Sequence, residues 1–106
     1  MNMQKLTILG KKAFLCAVNR GKTSLFASKA TMHSETLRGL FEEAKEVREA
    51  SEDKPSAHIP KFSEVQEELG DVLIVCLTEL YRRGTNIDEL IYEKMQYNER
   101  RPAKLS

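Results

Sequence analysis

At 106 residues the chain has the length of one domain, residues 1–106, and is long enough to bury a core without disulfide or metal staples. Its 17 basic and 16 acidic side chains leave a formal net charge of +1, so bulk charge gives no support to nucleic-acid or membrane-surface binding. Two cysteines, Cys16 and Cys76, sit in apolar helical runs and are expected as buried thiols of a reducing compartment rather than as a disulfide.

The basic N-terminal stretch lacks the long apolar region and small-residue cleavage site of a signal peptide. No apolar run approaches the roughly 20 residues that span a bilayer, and the expected location is the cytoplasm. Periodicity predicts a first helix over Lys5–Asn19, with Gly10 weakening its early part. Residues 20–31 read as a loop, because Gly21 and a Ser/Thr cluster interrupt any period. A second helix is predicted from about Ser34 to Ala50, with Leu37, Leu40, Phe41, Ala44 and Val47 at three- and four-residue steps. Pro55 and Pro60 then enforce a turn region.

The third helix starts near Ser63, where Ser63 and Gln66 fit a capping box. Phe62, Val65, Leu69, Val72, Cys76 and Leu80 form one apolar stripe that Leu73, Ile74 and Leu77 widen, so this helix must pack on more than one side. Gly84 is its expected C-terminal stop, Thr85 the expected cap of a fourth helix, and Pro102 the end of that helix. With no strand-like alternation, the fold class is all-α: a four-helix-type bundle whose wide apolar stripes call for completion by an oligomer.

Two of these helices carry acids in places that a solvated face does not explain. Glu43 and Glu46 stand three apart on the second helix, as do Glu68 and Asp71 on the third, so each pair shares a face. Brought together by adjacent antiparallel helices, four carboxylates repel unless protons or cations intervene. A hard divalent cation resolves the conflict, with magnesium expected and manganese a substitute. The plainer alternative is solvated glutamates pairing with Lys45 and Arg48. Against it, Asp71 lies mid-helix beside an aliphatic run, and Gly70 costs about 1 kcal/mol relative to alanine, which a close backbone approach or site crowding is expected to offset. A di-iron carboxylate site would need Glu-x-x-His, and neither His33 nor His58 supplies it. On the fourth helix Lys94, Asn98 and Arg101 share a face beside Tyr97; such donors suit a polyphosphate, although basic residues there also complement the helix dipole.

The acids Glu42-Glu43-Ala44-Lys45-Glu46, followed after 21 residues by Glu68-Leu69-Gly70-Asp71, together with the ending EKMQYNERRP, resemble the MazG nucleotide pyrophosphohydrolases of the all-α NTP pyrophosphatase superfamily. The resemblance is clearest over residues 36–102. It implies magnesium-dependent hydrolysis of a nucleoside triphosphate between the α and β phosphates, giving a monophosphate and pyrophosphate, in a homodimer or homotetramer. It also implies Glu43, Glu46, Glu68 and Asp71 as metal ligands with Glu42 behind them, and Glu43 or Glu46 as the group that handles the attacking water. Arg38, Lys94, Asn98 and Arg101 fall where relatives bind substrate. The stretch from Arg20 to His33 lacks the tryptophan common in relatives, so the base is not legible there. The alternative is a helical nucleotide-sensing or interaction module that keeps the acids without turnover.

Overall fold

In the computed structural model, which describes residues 4–102, the first helix, α1, spans Lys5–Asn19 and runs through Gly10 without a break. A Cβ built on Gly10 would lie 2.7 Å from Ile87 Cδ1 and 3.0 Å from the Leu77 carbonyl oxygen, so the missing side chain is what lets α1 approach its neighbours. The first turn of α1 is capped from far along the chain. Asp88 accepts from the Leu6 and Thr7 amides at 2.9 and 3.0 Å and from the Thr7 hydroxyl at 2.8 Å, and that hydroxyl accepts from the Ile87 amide at 3.0 Å. These contacts satisfy donors that every helix start leaves open. At the other end, Gly21 takes a positive φ of 72°, with its amide on the Val18 carbonyl and the Lys22 amide on the Ala17 carbonyl, a Schellman stop.

The second helix, α2, spans Lys29–Glu49 and therefore begins five residues before the predicted Ser34. Ser28 caps it by accepting from the Thr31 amide. The extra turn escaped a reading by hydrophobic period because Lys29, Ala30 and Thr31 are exposed and carry no apolar stripe. The connection to α3 is organised around buried Ser56, which accepts from the His58 and Ile59 amides and donates to Glu67. Both bonds of the predicted capping box at Ser63 and Gln66 are present, and α3 spans Glu64–Arg82. Gly84, at φ 74°, closes it with a second Schellman stop. The cap of α4 (Ile87–Arg100) is Asn86, not Thr85: its side chain reaches the Glu89 amide at 3.1 Å.

Among the described residues the fold is all-helical, with α3 as its axis. Helices α1 and α2 both pack on α3, α4 leans on α1 and α3, and α2 packs on α3 alone. Among the described residues the buried apolar centre is small: Phe14, Leu77 and Ile87, with the Tyr81 ring tilted against Phe14 at 5.7 Å. Much of the predicted stripe is uncovered, including Leu69, Leu73 and Ile74 on α3 and Phe41 on α2, the last 72% exposed. Cys76 is partly buried, whereas Cys16 is exposed, contrary to expectation; both thiols are free. Cys16 stays exposed because α1 packs through Gly10 and Phe14, against Leu77, Tyr81 and Ile87. Among the described residues no helix is long and apolar enough to cross a membrane.

Candidate metal centre

The acids come together because α2 and α3 pack side by side, each presenting a pair spaced by three residues. One carboxylate oxygen from each of Glu43, Glu46, Glu68 and Asp71 lies within 4.8 Å of the other three. Among the described residues, none of the four is within ion-pair distance of a cation. Glu43 Oε2 and Glu68 Oε2 are buried without a hydrogen-bond partner, an arrangement that is costly for a carboxylate.

The electrostatics register the crowding. Burial, then hydrogen bonding and charge from Glu46, then the charge of Asp71 push Glu68 up to about 7. Glu43 is raised as well, by burial first and then by the charges of Glu46 and Asp71, with Lys22 pulling the other way. Four oxygen donors that repel one another, with no ion-pair partner among the described residues, fit a hard divalent cation, the group that their chemistry calls for.

The cluster borders a cleft of about 950 Å³ between α1, α2, α3 and the α1–α2 connection, and Glu43, Glu46 and Asp71 line it. Arg38 and Glu42 line it too. So does Gly70, but a Cβ added there would meet nothing within 4 Å. The close backbone approach expected at Gly70 is therefore absent within the described chain: the glycine widens the cleft instead.

Lys94, Asn98 and Arg101 gather as predicted around Tyr97. The Lys94 ammonium and the Arg101 guanidinium lie 4.7 and 5.8 Å from its ring centre, and Arg101 donates to Asn98 at 3.3 Å. They do not line the acidic cleft; Lys94 and Tyr97 border a separate hollow of about 560 Å³ along α4. Reasoning from the sequence also missed the basic side of the cleft, Lys12, Arg20 and Lys22. Lys12 on α1 and Arg20, at the cap that ends it, stand eight residues apart, a helical spacing that could have flagged them; Lys22 lies in a connection without periodicity.

An all-α fold with two acid pairs on neighbouring helices, opening on a cleft of mixed charge, defines a class of helical proteins equipped to hold a cation beside an anionic ligand. Residues 31–104, well over half of the chain, match the MazG nucleotide pyrophosphohydrolase domain. The chain belongs to the MazG family. No curated protein and no solved structure matches it.

Proposed function

We propose that this protein is a magnesium-dependent nucleoside triphosphate pyrophosphohydrolase that cleaves between the α and β phosphates, releasing a nucleoside monophosphate and pyrophosphate. The observation that carries the reading is the four-acid cluster, with two carboxylate oxygens buried and unpartnered at the edge of a cleft large enough for a nucleotide. Membership in a family of nucleotide pyrophosphohydrolases supports the substrate class.

In this reading Glu43, Glu46, Glu68 and Asp71 hold the cation. When bound, the cation supplies polarised phosphate oxygens and a water of lowered pKa. Glu43 or Glu46 orients that water and takes its proton. Arg38, within the same cleft, offsets charge that develops on the departing pyrophosphate. Lys94, Asn98 and Arg101 also serve the phosphates, but at the site of a second copy, since they do not border the cleft of their own chain. The uncovered apolar side chains of α2 and α3 support such a homo-oligomer.

The test is phosphate release, with added pyrophosphatase, across canonical and modified nucleoside triphosphates, with magnesium and in EDTA. Magnesium-dependent formation of monophosphate and pyrophosphate is expected. Absence of turnover across the panel, with nucleotide still bound, would leave a sensing module in its place.

A further inference from the structure

Lys22 stands in the least periodic part of the chain, yet its backbone is held on both sides. Before it, the Schellman stop fixes Gly21 and the Lys22 amide to the end of α1. After it, Ser24 is pinned twice: its hydroxyl donates to Glu35 of α2 at 2.9 Å, and its carbonyl accepts from Arg82 of α3 at 3.3 Å. The Arg82 side chain is only 3% exposed, and it also pairs with Glu35 and, at 3.2 Å, with Glu79. A buried guanidinium thus ties the α1–α2 connection to both helices that carry the acids. The arrangement delivers an exposed lysine to the wall of the cleft that Glu43, Glu46 and Asp71 also line.

We infer that Lys22 is a substrate-contacting residue that grips the polyphosphate of the metal-bound nucleotide, and that Arg82 is the positioning residue that holds it there. This inference rests on the pyrophosphohydrolase reading and names a part of that site. In the free protein the Lys22 ammonium offsets the acids. With a divalent cation held by the carboxylates, that charge would be met, and the ammonium would be free to donate to phosphate oxygens of a nucleotide in the same cleft. A flexible point charge with three donors suits such a change of partner. The fold has little other use for holding these residues so firmly, because Thr23 and Ser24 are only half-buried and Leu25 and Phe26 are exposed.

The test uses the full-length chain and Lys22→Met, Lys22→Arg, Arg82→Lys and the double variant Lys22→Met/Arg82→Lys, with Lys61→Met as an outside control. The probes are magnesium alone, followed by its effect on melting, and an α,β-methylene nucleoside triphosphate with magnesium, followed by calorimetry. Lys22→Met should bind magnesium as well as the parent or better, and bind the analogue about 10- to 100-fold more weakly, the range of a hydrogen bond to a charged group. Lys22→Arg should recover most of that loss, and Lys61→Met should match the parent. Arg82→Lys should weaken analogue binding and raise KM more than it lowers kcat. In the double variant the two losses should fail to add, since one residue acts through the other. Tighter magnesium binding by Lys22→Met with unchanged analogue binding would reduce Lys22 to a counter-ion and overturn the inference. If the parent hydrolyses nucleotides and only these variants behave as controls, the inference alone fails. A parent that neither binds the analogue nor releases pyrophosphate ends the wider reading, and this one with it.

Discussion

Asp71 separates two accounts of the acidic cluster at the level of a single atom. Asp71→Asn keeps the side chain's shape and removes one charge. No cation pairs with Asp71 among the described residues, so the change strands nothing. It relieves repulsion with Glu43 and Glu68, whose carboxyls both feel the Asp71 charge. Metal-free stability should therefore stay level or rise, whereas removing one member of a buried ion pair typically costs about 3–5 kcal/mol. Thermal melts in EDTA and in excess magnesium check this: magnesium should raise the melting temperature of the parent by mass action and barely move that of the variant. The acids could be found in the sequence because helical spacing alone places each pair on one face. Lys22 could not, because its position depends on where Arg82 and Glu35 meet, 47 residues apart.

At the scale of the helix, two glycines that look alike in sequence have opposite roles. Gly10 is pressed against the Leu77 carbonyl and the Ile87 side chain; Gly70 faces open cleft. Gly10→Ala should gain roughly 1 kcal/mol of helix propensity but force a crowded crossing apart, at a typical cost of 1–3 kcal/mol; the net change is a loss. Gly70→Ala should raise metal-free stability by up to about 1 kcal/mol, while narrowing the cleft beside Asp71 and weakening nucleotide binding. Urea denaturation of both variants reads the two signs directly. Helix positions and caps were largely legible because they depend on local chemistry: the Ser63 box and the Gly84 stop stand where the residue types put them. The misses share one cause. The early start of α2 at Ser28 and the cap at Asn86 rest on exposed polar residues, where no apolar period marks the boundary.

For the molecule as a whole, the acids set an unusual dependence on pH. Glu68 has its folded pKa raised from 4.5 to about 7. Its contribution is thus fully present below pH 4.5 and is lost as pH rises through 7. Glu35 and Glu67 run the other way. The Arg82 hydrogen bond holds Glu35 low, hydrogen bonds from Ser56 and then His58 hold Glu67 low, and their contributions disappear as pH falls below 4.5. Metal-free protein should accordingly be more stable in mildly acidic than in neutral solution. Saturating magnesium should move the optimum toward neutrality, and apparent magnesium affinity should climb up to about pH 7. Melting curves across pH, with and without the ion, test this. The sparse core makes a second demand. Phe41, Leu69 and Leu73 are each more than half exposed, and a second copy is the expected cover, so light scattering should give at least a dimer at micromolar concentration. Asp71→Asn and Lys94→Met chains, each inactive or weak alone, should regain activity when unfolded and refolded together, because a mixed pair contains one site with both its acids and its neighbour's Lys94 intact. Failure to recover would return Lys94 to its own chain. The proposed division of the site between copies could not be read from the sequence: the residue types were visible, but not the lack of contact between α4 and α2.

The bond from Asp88 to the first turn of α1 ties the order of synthesis to the order of assembly. The Leu6 and Thr7 amides lie 82 and 81 positions from the carboxylate that caps them, so α1 is finished by a turn that the ribosome makes only after α2 and α3. Until residue 88 clears the exit tunnel, α1 has a frayed amino end, and the Gly10 crossing lacks the Ile87 side chain that fills it. Stalled or truncated chains ending before Ile87 should therefore be cut readily by trypsin at Lys5, Lys11 and Lys12, while chains extending past α4 resist. Quality control would then read α1: a copy interrupted before Ile87 advertises itself through an open helix.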